Sequence, residues 1–444
     1  MISLTKSRET EWRFRGEITA FLSLVFILML SLVGALLESA SIQMTRSRKR
    51  ADVNLALESV FAEYHPEMLH TYDLFVRFGS TKDVLKNRLE YYGATNMTHQ
   101  LFAVELLTDH GGSVYYEQAV RYMKDWLGLK ADLSGEEIDL DTAFSYEDEQ
   151  EALSNDINRM LEAEEHGLSG DNNLLDWAEE VKSTGLLPLV VPDSEDLSDR
   201  SIGLEECASF RTLEEGSYEA PKDGDVTDKA FFVAYLTEHF SDYVKSNTAK
   251  TLLYEQEYLL GGQGSDKGNL EVVCNKLVNV RMPINYAYLL TDTGKQAEVE
   301  ALAVTLCTLL MNPEVSGVVK QALLLAWAYG ESIVDVRALL REKKVPLIKT
   351  AETWQLQLAN VARLGTSGEV SGEKEFESGL CYGDYLKGFL LLASKEELCM
   401  RSLDLMEANL QMKADQCITK VKIQSTLELR RGLKDTFLTE FGYQ

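Results

Sequence analysis

Glu331 and Asp335 lie four residues apart in the very apolar stretch LLLAWAYGESIVDVRALL. On a helix that spacing sets both carboxylates on one side. Such a pair could act as general acid and base, given a cleft and shifted pKa values. It could equally hold a buried cation. Arg281 sits in a second apolar stretch, LVNVRMPINYAYLL, and needs a partner if it is buried. We read Arg281, Glu331 and Asp335 as a structural ion pair, an expectation that requires Arg281 to lie near one of the two carboxylates.

Other motifs are weaker. Gly261, Gly262 and Gly264 suggest a nucleotide loop, but Lys267 stands where the third fingerprint glycine belongs and no Walker pattern is present. A plain turn explains them. There is no G-x-S-x-G, no H-E-x-x-H and no Cys–His grouping at ligand spacing. The six histidines are dispersed. The stretch from Asp223 to Asp228 lacks the twelve-residue calcium pattern and reads as an acidic surface turn. No catalytic, cofactor or metal residue is therefore expected, and the chain reads as non-enzymatic. Six cysteines are scattered without a CxxC pair, several in apolar helical contexts where buried free thiols are usual.

The element that must position everything else is N-terminal. Residues 18–37 read ITAFLSLVFILMLSLVGALL, uncharged and long enough to cross a hydrocarbon core as a helix. No proline occurs before Pro66, and no glycine lies between Gly34 and Gly79. Beyond Glu38, Val53, Leu57, Val60, Phe61 and Tyr64 recur at helical spacing. A rod over residues 16–64 would be roughly 70 Å long, half in lipid and half against a head. A cleavable signal fits less well, because the apolar run is long, no A-x-A-like site follows and the helix continues. Residues 1–15 would form a cytoplasmic tail. Lys and Arg number four before the span and four after it, a tie under the positive-inside rule. The short tail favours an inside N-terminus and an extracytoplasmic head. Ser31, Gly34, Ala35 and Ser39 would let other transmembrane helices approach closely.

The 444 residues carry a net charge of -27, with 45% hydrophobic and 26% charged residues. That charge argues against nucleic acid, which needs clustered Lys and Arg, and against a head lying on anionic lipid. Residues 65–130 form a helix-exit subdomain containing the apolar-aromatic stretch MLHTYDLFVRF, a helix over 82–92, a strand over 101–107 and a helix over 114–127. Residues 132–180 hold 17 Asp or Glu against the single Arg159. We read residues 131–226 as a variable acidic insertion, with short helical pieces at 147–164 and 174–182. Residues 227–444 form a C-terminal head. It has helices over 231–244, 266–290, 295–311, 313–342, 383–393 and 395–412, and strands over 251–260 and 414–429. The fold class is α+β: a long N-terminal transmembrane helix continuing into a mainly helical extracytoplasmic head with a small sheet.

The segments RGEITAFLSLVFILMLSLVGALLESASIQ and ALESVFAEYHPEMLHTYDLF resemble the N-terminus of a family of uncharacterised Gram-positive membrane proteins that carry a domain of unknown function. YEQEYLLGGQGSDKGNL, LLLAWAYGESIVDVRALL, VPLIKTAETWQLQL and YGDYLKGFLLLASKEE resemble the same family. Its members look like the TadE/TadG-like pseudopilins of tight-adherence (Tad/Flp) pilus systems. The resemblance puts Gly16 and Glu17 where a prepilin peptidase would cut. The chain departs from that pattern, with Phe21 at the fifth position after the cut, where Glu is usual. The implied role is a minor-pilin-like or accessory component of a Tad/Flp-type pilus or secretion apparatus, with its other subunits as partners. The alternatives are an anchored envelope hydrolase using Glu331 and Asp335, or a solitary envelope scaffold or sensor.

Overall fold

The computed structural model describes residues 8–79, 82–134, 186–191, 197–220, 226–309, 313–363, 374–429 and 432–443. Helix α1 (Arg8–Phe61) runs 54 residues, about 80 Å at 1.5 Å per residue. Its residues 18–41 are exposed throughout, whereas Val53, Ala56, Leu57, Val60 and Phe61 are buried in the head. The chain turns at residues 62–65. Pro66 then opens α2 (Pro66–Tyr72) at its first turn, where its missing N–H costs nothing, and His65 Nδ1 accepts from the Met68 N–H at 3.1 Å.

The exit region supplies β1 (Arg77–Phe78), α3 (Lys82–Tyr91), β2 (Thr98–Leu106) and α4 (Asp109–Ser134). His110, Gly111 and Gly112 have positive φ, so regular helix in α4 begins at Ser113. A Cβ on Gly112 would come within 2.8 Å of the Cys399 Cβ, so glycine allows the close approach there. The remaining elements are α5 (Leu186–Val190), α6 (Val226–His239), α7 (Glu255–Gly261), α8 (Asp266–Thr291), α9 (Thr293–Leu309), α10 (Ser316–Leu340), α11 (Tyr382–Leu392), α12 (Lys395–Leu410), β3 (Cys417–Glu428) and β4 (Lys434–Gly442).

The sheet is antiparallel and small. β3 lies at its centre, paired with β2 on one side and with β4 and the two-residue β1 on the other. One face carries Ile423, Leu427 and Phe437 against Val53, Leu57, Val60 and Phe61 of α1 and Leu85 and Leu89 of α3. The last turns of the rod, from Val53 to Phe61, are thus part of the head's core. A second, larger core joins α2, α4, α6, α7, α11, α12 and the first half of α8. A third surrounds Leu289, Leu324, Trp327 and Trp354.

The architecture is α+β, mainly helical with a small sheet, led by one helix apolar enough to span a membrane. One expected strand is corrected. Residues 251–260 contribute the short helix α7 instead. The period-two pattern misleads because both faces are buried: Glu255, Gln256, Glu257, Tyr258, Leu259 and Leu260 are all inside. Two acids in its first turn suit the positive end of a helix, and Gly262 ends it in the left-handed conformation (φ 63). The glycine cluster is thus a helix stop and turn. Strand β4 was not anticipated.

Residues 135–185, 192–196 and 221–225 of the acidic insertion, with both expected helical pieces and the acid-rich turn after Pro221, lie largely outside the described residues. The described parts of that span are packed in place: Leu186, Leu189, Val190, Leu197 and Ala208 enter the large core. All six cysteines are free thiols, five of them buried. Burial pushes the thiols of Cys207 and Cys399 up to about 11 and about 12.

Candidate functional site

Two features stand out. The first is the exposed stretch of α1. Ser31, Gly34, Ala35 and Ser39 are exposed helical positions, and Ala35 and Ser39 follow Ser31 at four-residue steps along one side. The Ser31 hydroxyl donates to the Leu28 carbonyl at 2.8 Å, so it is satisfied without leaving the helix. A Cβ at Gly34 would meet nothing within 4 Å. Gly16 and Glu17 are on the same helix, but their side chains lie outside the described residues.

Where α1 enters the head, basic residues clamp it. Arg46 and Arg50 reach Asp435 at 3.6 and 3.7 Å, and Arg50 stands over the Phe437 ring at 5.2 Å. Lys49 donates to the Thr95 carbonyl at 3.1 Å. Arg46 and Arg50 therefore hold β4 to the rod, and Lys49 holds the turn that precedes β2.

The second feature is a buried ionic network between α8, α10 and the loop that follows α10. Arg281 and Asn285 share a face of α8, while Glu331, Ser332 and Asp335 share a face of α10. All five are fully buried. Arg281 donates to Asp335 Oδ2 from Nε at 3.0 Å and Nη2 at 2.9 Å, and from Nη1 to the Leu347 carbonyl at 3.1 Å. Asn285 donates to Ser332 and to Asp335 Oδ2 at 2.9 and 3.1 Å.

Glu331 does not meet Arg281. Its partner is Lys349, whose Nζ lies 2.6 Å from Glu331 Oε1 and 2.6 Å from Asp335 Oδ1. The backbone N–H groups of Gln355 and Leu356 donate to Glu331 Oε1 and Oε2 at 3.0 and 2.7 Å. The indoles of Trp327 and Trp354 both donate to the Leu356 carbonyl, at 2.9 and 2.7 Å, which fixes that peptide plane.

Two cations thus face two carboxylates, and the buried charge cancels. Burial works against the Asp335 carboxylate, but Arg281 and then Lys349 hold it below the usual range. Burial dominates at Glu331 and pushes it up. Lys349 was missed because a lone lysine in a non-periodic loop gives no spacing signal. Its only trace is a charge amid apolar and aromatic neighbours in VPLIKTAETWQL.

A related device fixes residues 197–220. Arg211 forks onto Asp415 through Nη1 and Nη2, both at 2.9 Å, and also reaches Glu407. Ser209 and Tyr258 donate to Asp404. Among the described residues no group of three His, Cys, Asp or Glu is placed to hold a metal. Two surface clefts lie elsewhere. One is lined by Phe61, Tyr64, Phe75 and Tyr443, the other by Leu85, His99 and Ile423, and neither includes Glu331 or Asp335.

Among the described residues, one helix is long and apolar enough to cross a membrane, and its C-terminal turns pack into a mainly helical α+β head. The chain belongs to a family of unknown function, DUF5702, which matches residues 164–429. The matched region begins inside the acidic span and takes in α5 to α12 and β3, leaving outside it the rod, α2 to α4 and strands β1, β2 and β4. No curated protein and no solved structure matches the chain.

Proposed function

We propose that the protein is a single-pass, membrane-anchored structural component that presents a rigid head outside the cytoplasm, with its N-terminus inside. In this reading it serves as a minor-pilin-like or accessory subunit of a Tad/Flp-type pilus or secretion apparatus in a Gram-positive envelope. The observation that carries the reading is the continuity of α1. One helix is lipid-compatible over residues 18–37 and becomes core of the head from Val53 onward. A motion or force on the membrane part would reach the sheet directly, without a flexible joint. The buried ionic network supports a non-catalytic role, since the hydrolase alternative needs Glu331 and Asp335 in a solvent-open pocket and both are fully buried.

Assembly would proceed through lateral packing of α1, with the small residues as the contact face. Replacing Gly34 and Ala35 by Leu should reduce cross-linking between neighbouring membrane helices several-fold while leaving insertion unchanged. Unaltered cross-linking would remove the assembly role from this face.

A further inference from the structure

We propose that Lys349 and Glu331 condense into an intramolecular isopeptide bond, with Asp335 moving the proton, so that the loop after α10 is covalently stapled to that helix. Three reactive groups meet in a closed, fully buried site. The Lys349 amine lies at hydrogen-bond distance from two carboxylates at once, and all three side chains are shut away from water. Such confinement replaces a bimolecular encounter with a fixed one.

The two carboxylates are set up differently. Asp335 Oδ2 takes two guanidinium donors and the Asn285 amide, which keeps the group anionic and a poor target for attack. Glu331 has no guanidinium. Burial favours its neutral acid, and backbone N–H groups on both oxygens polarise its carboxyl carbon. The Leu356 N–H, which donates to Glu331 Oε2 at 2.7 Å, is placed to stabilise the oxyanion of an addition intermediate.

The step balances without a redox partner. A proton passes from the Lys349 ammonium to Glu331, leaving a free amine beside a carboxylic acid. Nζ adds to Cδ of Glu331, forming the C–N bond, and the surplus proton on nitrogen goes to Asp335 Oδ1. The C–OH bond of the former acid breaks. The hydroxide leaves with the proton returned by Asp335, as one water. The product is a neutral amide, and Asp335 ends ionised against Arg281. The buried charge remains cancelled.

The test is mass spectrometry of a proteolytic digest of the full chain purified from membranes, so that any N-terminal processing does not enter. The expected result is a branched peptide joining the segments around Glu331 and Lys349, lighter than their sum by one water. Lys349→Arg and Asp335→Asn should each restore separate, full-mass peptides. Two unlinked wild-type peptides at full mass would overturn the proposal, as would a branch at Asp335. Persistence of the branch in Asp335→Asn would remove Asp335 from the step. The wild-type measurement does not depend on either variant folding.

Discussion

Arg281 and Asp335 are worth more together than either is alone. A buried charge that loses its partner costs about 3–5 kcal/mol, whereas replacing a whole pair by apolar groups is often neutral. Arg281→Met should therefore lower stability by about that amount in chemical denaturation, and adding Asp335→Leu should recover much of it. A double variant as unstable as the sum of the two singles would contradict the pairing. Glu257 makes a second residue-scale prediction. It is wholly buried, accepts from Tyr382 and the Tyr243 N–H through Oε1, and leaves Oε2 without a partner. Burial pushes its carboxyl up to about 8. The folded protein thus keeps a proton that the unfolded chain releases near the ordinary carboxylate range. Stability from this group is complete at acid pH, falls as pH rises from the unfolded value, and levels off above about 8. Glu257→Gln should flatten that decline in unfolding measurements between these limits. An unchanged slope would assign the decline to other groups.

At the scale of elements, the junction of rod and sheet is the sensitive place. Leu57 and Phe61 are buried among residues of α3, β3 and β4. Phe61→Ala should cost about 3–5 kcal/mol, since a large aromatic side chain leaves a cavity. It should also expose the sheet to limited proteolysis before the helical core is cut. Simultaneous cleavage of both would mean that the two cores unfold as one unit. The long elements were readable in the chain because their periodicity is carried by many residues. Examples are the rod to Phe61, α8, α10, α12 and β3. The strand expected over residues 251–260 failed because burial on all sides erases the contrast between faces that the pattern depends on. Strand β4 escaped notice because Phe437 and Phe441 are four apart, a helical spacing, while its edge position leaves Leu438 exposed. The Arg281–Asp335 contact was legible from two buried-looking charges in apolar helices. Lys349 was not, since nothing local ties a loop lysine to carboxylates on the preceding helix.

At the scale of the whole molecule, the account rests on a division of charge and oil. The chain carries -27 overall, yet residues 18–37 carry none. A strongly acidic head is repelled by anionic lipid, so it should stand off the bilayer at the end of its rod. Arg46, Lys49 and Arg50, just after the span, are spent on Asp435, Phe437 and Thr95, which orients the head relative to the helix. Protease added to cells with a permeable wall and an intact membrane measures this most directly. The head should be digested while a cytoplasmic marker survives, and alkaline carbonate should leave the remaining rod in the membrane pellet. A head that stays intact until the cells are opened would contradict the account.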